Sequence, residues 1–260
     1  MNKFIQTKQY KQFSEFCKAC QRDKYIGLCY GPAGVGKTES ARHYTKWYAV
    51  QEGYQMDVPK FSMKYLNAVL YTPSLLETPK NIIYDIRETQ RKFSHLKERY
   101  IYGREIPCSA REENRNFAEL VIVDEAERLK PQSFELIREF YDEGKANFIF
   151  IGMPGIEKMV ERFPQLYSRI GFVHQFKNLG KSEMEFIIDK HFEKLGVKLN
   201  HEDFCDQEVV AAIVRITGGN FRLISRLLKQ AYRIMKVNCM TTLTKEIIEA
   251  ARSCLLIGEK

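Results

Sequence analysis

Residues 31–38 read Gly31-Pro32-Ala33-Gly34-Val35-Gly36-Lys37-Thr38. This stretch fits the pattern G-x-x-x-x-G-K-[ST] without a mismatch. In a loop of this kind the backbone N–H groups point inward to phosphates, and glycines allow the positive φ angles that this requires. Lys37 would reach the β- and γ-phosphates of a nucleotide, and the Thr38 hydroxyl would hold Mg²⁺. The pattern therefore predicts a nucleoside triphosphate site.

The sequence on either side of the loop has the order that such a site needs. Residues 25–30 are apolar enough for a buried parallel strand, and residues 38–50 have the pattern of a helix. The N-terminus of that helix carries a partial positive charge and would face the phosphates. Because strand, loop and helix follow one another, a chance lysine in a glycine-rich turn is a poor alternative.

A second motif lies at residues 120–125, where four apolar residues precede Asp124 and Glu125. At the carboxyl end of a strand beside the loop, Asp124 would hold Mg²⁺ through its water shell. Glu125 would orient and polarise an attacking water. The alternative is an ordinary acidic residue at a strand end, and the length of the apolar run favours the catalytic interpretation.

Arg222 follows a Gly-Gly-Asn-Phe sequence at the start of a predicted helix, with Asn220 as a plausible N-cap. From the first turn of this helix Arg222 could swing onto the γ-phosphate. The alternative is a surface arginine on a lid helix.

Arg169 precedes the last predicted strand and could reach into the site of a neighbouring subunit. There it would stabilise transition-state charge in trans, and Arg162 is the reserve candidate for this role. A local ion pair with Glu157 or Glu161 is the alternative.

The charge of the chain is unevenly distributed. It carries 41 Lys and Arg against 33 Asp and Glu, for a net charge of +8, and residues 1–48 alone hold nine basic against three acidic residues. Residues 80–115 add nine basic against six acidic residues. Such a surface suits nucleic acid or an acidic partner, but it is equally compatible with a merely soluble basic protein.

Composition also bears on location. No apolar run approaches the ~20 residues of a membrane span, and the N-terminal residues have no signal-peptide core. Seven dispersed cysteines suit a reducing compartment better than a disulfide framework. We therefore expect a cytoplasmic protein.

Strands alternate with helices in the first two thirds of the chain, which predicts an α/β fold with a central parallel five-stranded sheet flanked by helices. The strands are expected at residues 25–30, 68–72, 120–124, 147–151 and 170–176. Between the second and third strands, Thr78-Pro79 would start a helix that runs to about Glu98. After residue 178 only helical patterns follow, at residues 181–195, 204–216, 221–236 and 244–256. We expect an N-terminal helical segment packed on the core (1–24), an α/β nucleotide-binding domain (25–178) and an all-helical lid (179–260).

Together these residues resemble the AAA+ ATPases, and in particular the transposition regulators of the TnsC/TniB/MuB type. The resemblance spans about residues 4–255 and is carried by residues 31–38, 121–129, 151–157, 163–174 and 218–222. The Gly-Met-Pro-Gly run at 152–155 and the Pro-Gln-Leu-Tyr-Ser-Arg run at 164–169 are more specific than the phosphate loop alone.

The resemblance implies an AAA+ P-loop module with a helical lid and a slow, regulatory, Mg²⁺-dependent ATPase activity. Subunits with bound ATP would assemble as a ring or helical filament around double-stranded DNA, without sequence preference, and recruit a transposase and a target-selection partner. Hydrolysis would disassemble or trim the assembly. The implied site residues are Lys37 and Thr38 (Walker A) with the adjacent Glu39, Asp124 and Glu125 (Walker B), Arg169 (trans finger) and Arg222 (sensor 2).

In proteins of this type, DNA contacts lie on an insertion after the second strand and its helix, here residues 95–115. The basic residues expected to contact phosphates are Lys97, Arg99, Arg104 and Arg111. Contacts of this kind give sequence-independent, salt-sensitive binding, although a solvated charged loop is the alternative. Sensor 1 is unassigned, because the apolar residues 148–151 run directly into Gly152, and this departure is why we expect slow hydrolysis.

Two other functions fit the same motifs. One is the loading of a helicase or initiator on DNA, which would need a partner-binding N-terminal extension for which residues 1–24 leave little room. The other is a nucleotide-gated protein-binding switch that does not bind DNA, against which the intact Asp124-Glu125 pair counts.

Overall fold

The computed structural model describes residues 4–56, 61–103, 117–194 and 203–255. Its strands are β1 (Ile26–Tyr30), β2 (Ala68–Tyr71), β3 (Leu120–Val123), β4 (Asn147–Gly152) and β5 (Ile170–Gln175). They form one sheet in the order β2-β3-β4-β1-β5, and every pairing is parallel. The carboxyl ends of all five strands therefore lie at one edge, where Gly31 follows β1 and Asp124 follows β3.

Helices flank these strands in the sequence. Their bounds are α1 (Lys8–Asp23), α2 (Lys37–Tyr44), α3 (Trp47–Met56), α4 (Pro79–Tyr102), α5 (Pro131–Asp142), α6 (Ile156–Val160), α7 (Pro164–Tyr167), α8 (Lys181–Lys194), α9 (Phe204–Thr217), α10 (Phe221–Val237) and α11 (Lys245–Ser253). A 3₁₀ turn at Ala126–Arg128 follows β3. Within the described ranges, no helix combines the length and the apolar character needed to cross a bilayer.

The chain divides into two compact units. The sheet unit comprises Gln9–Gly31 and Lys37–Phe176, and the helical unit comprises Met1–Lys8, Pro32–Gly36 and Lys177–Lys260. Most of the glycine-rich loop thus groups with the helical unit, whereas the sequence placed it with residues 25–178. The loop is covalently continuous with the sheet unit at both of its ends.

The sheet unit is built around strands that are apolar on both faces. All four residues of β2 and of β3 are buried, as expected for a parallel sheet covered on each side. Helix α5 packs its Phe134 ring 5.6 Å from that of Phe150 on β4. Helix α4 is capped by the Thr78 hydroxyl and buries Ile82, Ile86 and Phe93 along one stripe. This core fixes the strand ends that carry the candidate site.

Three local features differ from the sequence predictions. The helix expected over 38–50 is two helices, because Lys46 adopts a left-handed backbone (φ 48°) between α2 and α3. Helix α4 continues to Tyr102, beyond its expected end near 98. The short helices α6 and α7 had no predicted counterpart, since four or five residues are too few to show a helical period.

The helical unit has a separate core formed by α8 to α11. Helix α9 begins at the N-cap Asp203, and α10 begins at Asn220, whose side chain accepts a hydrogen bond from the Leu223 N–H. The predicted helical segments correspond to these four helices with ends shifted by a few residues.

Candidate nucleotide-binding site

The first residue of the motif, Gly31, is constrained by its surroundings in the sheet unit. A Cβ atom at Gly31 would lie 2.5 Å from the carbonyl oxygen of Phe176, the residue after β5. Phe176 in turn donates its backbone N–H to Tyr30 at 2.8 Å. Glycine is therefore needed here because the two chains pass too close for a side chain.

The loop residues 32–36 are held by the start of α10 within the helical unit. Gly34 and Gly36 have φ values of +81° and +102°, which favour glycine strongly. The Asn220 side-chain amide donates to the Ala33 carbonyl at 2.7 Å, and the Arg222 backbone N–H donates to the Gly34 carbonyl at 3.0 Å. The Arg222 side chain itself is exposed. The segment predicted to contact nucleotide thus contacts the loop directly.

Lys37 begins α2 at the sheet edge. Its ammonium donates to the Gly31 carbonyl at 2.5 Å and lies 3.7 Å from the thioether of Met153, the residue after β4. Glu39, in the first turn of the same helix, pairs with Arg42 at 2.8 Å. The Lys37 ammonium is therefore directed to the backbone of the motif, where its positive charge would attract an anionic ligand. Glu39 is engaged by a neighbouring arginine.

Thr38 and Asp124 meet although 85 residues separate them in the chain. The Thr38 hydroxyl interacts with the Asp124 carboxylate, which is only 3% exposed, and this interaction lowers the pKa of Asp124. Burial raises the pKa of Asp124 above its usual value. A hydroxyl and a carboxylate are the oxygen donors that Mg²⁺ prefers, and a buried carboxylate is stabilised by a cation. The donor set therefore fits Mg²⁺.

Glu125 leaves strand β3 through a left-handed backbone conformation (φ 54°, ψ 43°). Such a conformation is uncommon for glutamate and is typical of positions where function constrains the backbone. Its carboxylate pairs with Arg128 on the following 3₁₀ turn. The Arg128 guanidinium also donates to the Pro73 carbonyl at 3.1 Å. Sequence reasoning missed Arg128, because the left-handed conformation of Glu125 that precedes the 3₁₀ turn leaves no signal in the sequence.

Arg169 is engaged within its own chain. Its Nε and Nη2 atoms donate to the two carboxylate oxygens of Asp142, at the end of α5, at 2.6 and 2.8 Å. Arg138 donates to the same carboxylate at 2.7 Å. The pairing with Arg169 lowers the pKa of Asp142. A local ion pair therefore exists, but its partner is Asp142 and not Glu157 or Glu161.

Two of the four residues expected to contact DNA, Lys97 and Arg99, lie in the described part of the chain. Lys97 is buried, and its ammonium donates to the Leu66 carbonyl at 2.6 Å and lies 5.3 Å from the Phe117 ring centroid. Its charge is thus directed into the protein and not to the surface where the sequence analysis expected it to contact DNA. Arg99 is partly buried and donates to His95 at 3.3 Å. Arg104 and Arg111 lie outside the described residues.

Comparison with known proteins agrees with this geometry. The family model of the AAA domain matches residues 20–160, which is more than half of the chain. A protein of Staphylococcus aureus described as a potential ATP-binding protein is 43% identical over 267 residues, covering 98% of this chain and 97% of that protein. The chain belongs to the AAA domain family of P-loop ATPases.

Solved structures support the fold at low sequence identity. The RuvB Holliday junction branch migration motor of Thermotoga maritima is similar with a TM-score of 0.63 and 16% identity, over 98% of this chain and 71% of that chain. The ORC1 protein of Aeropyrum pernix, solved in complex with DNA, has a TM-score of 0.60 and 17% identity, over 94% of this chain and 64% of that chain. The AAA+ architecture with a parallel five-stranded sheet is thus confirmed.

Proposed function

We propose that this protein binds ATP with Mg²⁺ and hydrolyses it slowly. The observation that carries the proposal is the interaction of the Thr38 hydroxyl with the buried Asp124 carboxylate, at the sheet edge where Lys37 begins a helix. Thr38 and Asp124 supply two oxygen donors suited to Mg²⁺, and Lys37 supplies an ammonium suited to phosphate. Asp124 comes from a part of the chain distant from the other two residues. The name of the Staphylococcus aureus relative, a potential ATP-binding protein, supports the same ligand.

In the proposed reaction each residue has a defined task. Lys37 binds the β- and γ-phosphates, with the backbone of residues 31–36 around them. Thr38 and Asp124 hold the metal ion, which when bound neutralises developing charge on the phosphates. Glu125 orients the attacking water, and for this its carboxylate must exchange Arg128 for water. The pairing seen with Arg128 is consistent with slow turnover in the free protein.

We also propose that ATP-bound subunits assemble as a ring or filament on double-stranded DNA. Arg169 would act in trans on the neighbour's nucleotide after releasing Asp142, and Arg222 would contact nucleotide in cis. The net charge of +8 supports a polyanionic partner. The structurally similar ORC1 protein is described in complex with DNA, and RuvB is described as a branch migration motor.

The biological role that fits best is regulation of transposition, with recruitment of a transposase and a target-selection partner. This rests on the resemblance carried by residues 151–157 and 163–174. The test is ATP turnover measured over a range of protein concentrations, with and without long duplex DNA. A site completed in trans predicts specific activity that rises with concentration and with DNA. Activity per subunit that is constant under all these conditions would contradict the assembly proposal.

A further inference from the structure

Helix α10 carries an uninterrupted row of positive charge. Its 17 residues contain five basic residues and no acidic one. The basic residues, which we call the α10 stripe, are Arg222, Arg226, Lys229, Arg233 and Lys236. Spacings of four and three residues place all five on one face of the helix. All five are exposed.

The opposite face of α10 is already used by the core of the helical unit. Its buried residues are Ile224, Leu227, Leu228, Ala231 and Met235. This packing fixes the rotation of the helix and therefore the direction of the stripe. It also argues against a membrane surface as the partner, because interfacial helices insert an apolar face that α10 does not have free.

The stripe is not compensated by nearby carboxylates. Two exposed cations elsewhere in the same unit are paired: Arg215 with Glu249 at 2.6 Å, and Lys245 with Glu208 at 3.3 Å. Among the residues that the structure describes, no ion pair involves a member of the α10 stripe. A row of like charges repels itself unless a polyanion neutralises it.

We propose that the α10 stripe binds the phosphate backbone of duplex DNA. This inference rests on the proposed function and names the surface that would perform it. Residues 226 to 236 span ~15 Å of helix, and one DNA strand presents about four phosphates over that length. Four cations therefore face a comparable number of phosphates. Contacts to phosphates alone carry no sequence information, as a DNA binder that accepts many sites requires.

The α10 stripe differs from the DNA-binding surface that the sequence analysis expected. The surface expected at residues 95–115 has its Lys97 buried against Leu66 and its Arg99 bonded to His95. Neither side chain presents a free charge comparable to those on α10. The stripe is thus the stronger electrostatic feature among the described residues.

The test replaces Arg226, Lys229, Arg233 and Lys236 together by Gln, leaving Arg222 in place because it has a proposed nucleotide role. The matched control removes the same charge elsewhere, by Gln at Lys11, Lys18, Lys64 and Lys158, all of which are exposed. Both variants and the parent are titrated with a labelled duplex of unrelated sequence, followed by fluorescence anisotropy. A slowly hydrolysed ATP analogue and Mg²⁺ are present, and salt is varied.

We expect the stripe variant to lose at least ~10-fold in affinity. The slope of log K against log salt should become shallower by about 3.6, since each of the four phosphate contacts contributes about 0.9. The control should keep nearly the parental slope. Assembly with the ATP analogue in the absence of DNA, followed by light scattering, should be unchanged in the stripe variant.

Each other outcome overturns the inference in a distinguishable way. If the parent does not bind duplex at all, the proposed function fails together with the stripe. If the parent binds and both variants bind alike, only the stripe fails. Loss of assembly without DNA in the stripe variant would make the stripe a subunit interface. Competition by poly-glutamate as effective as that by duplex of equal charge would make it a site for an acidic polypeptide.

Discussion

The Thr38 hydroxyl, at the start of α2, interacts with the Asp124 carboxylate, at the end of β3, and lowers its pKa. Asp124 is buried and also donates its backbone N–H to the Tyr71 carbonyl at 2.8 Å. A carboxylate in this position is costly without a cation, and burial raises its pKa. Without a bound cation, the buried carboxylate of the proposed metal site therefore lowers the free energy of unfolding.

Asp124→Asn should stabilise the nucleotide-free protein while abolishing its response to Mg²⁺. The folded-state pKa is raised, so the protonated form favours folding below the unfolded pKa, and this contribution is lost as pH rises through the folded pKa. At neutral pH the uncharged amide should gain ~0.5–2 kcal/mol, as relief of a functional site commonly does. Thermal unfolding in EDTA measures this gain.

The control for this prediction is acid pH. At about pH 3 the Asp124 side chain of the parent is uncharged, as is the amide of the Asp124→Asn variant. The difference in Tm between the two proteins should therefore vanish, since the reference pKa of aspartate is about 3.9. Mg²⁺ with ATP should raise the Tm of the parent and not of the variant. An equal rise in both proteins would remove Asp124 from the metal site.

Lys37→Ala should abolish ATP-dependent assembly. The ammonium is the one charge of the motif that can neutralise the β- and γ-phosphates directly, and here it is bonded to the Gly31 carbonyl. Sedimentation with and without ATP and Mg²⁺ measures the loss. Lys46→Ala, outside the loop, is the control. Assemblies of parental size in Lys37→Ala would reject the nucleotide assignment.

Glu125→Gln should keep ATP binding and lower turnover by ~10²–10⁴-fold, because an amide cannot accept the proton of the attacking water. ATP-bound assemblies should then persist on DNA. Glu127→Gln, on the 3₁₀ turn that follows Glu125, is the matched control and should behave as the parent. Turnover by Glu125→Gln at the parental rate would show that another residue activates the water.

Arg169→Ala should lose turnover and be rescued by a partner that cannot bind ATP itself. In mixtures with Lys37→Ala, each intact site can receive Arg169 from its neighbour, so activity should reappear. Asp142→Asn weakens the ion pair while keeping Arg169 and should retain turnover. If the mixtures show no rescue of Arg169→Ala and Arg162→Ala loses turnover instead, the finger role belongs to Arg162.

Much of the fold could be predicted because the strands are apolar on both faces and the helices have clear caps. The β3 strand, with its four buried residues, was found from its apolar run, and α4 from Thr78 and Pro79 at its start. The break at Lys46 could not be predicted, because a left-handed residue without glycine leaves no mark in the pattern.

Part of the candidate site could likewise be predicted from the sequence, and part of it could not. Motif spacing located Thr38 and Asp124, but not the pairing of Glu125 with Arg128, since ion-pair choice depends on backbone direction after β3. The partner of Arg169 is 27 residues away on α5, so proximity in sequence pointed to the wrong carboxylates. Lys97 shows the converse problem, because a lysine counted as surface charge is buried by its position on the inner side of α4.

The central claim is that bound ATP joins copies of this chain on a duplex. The most direct measurement is electron microscopy of the purified protein with a slowly hydrolysed ATP analogue, Mg²⁺ and a long double-stranded DNA. The account predicts rings or filaments whose density encloses or follows the duplex, and none when ATP is replaced by buffer. Monomers on bare DNA under saturating analogue would contradict it.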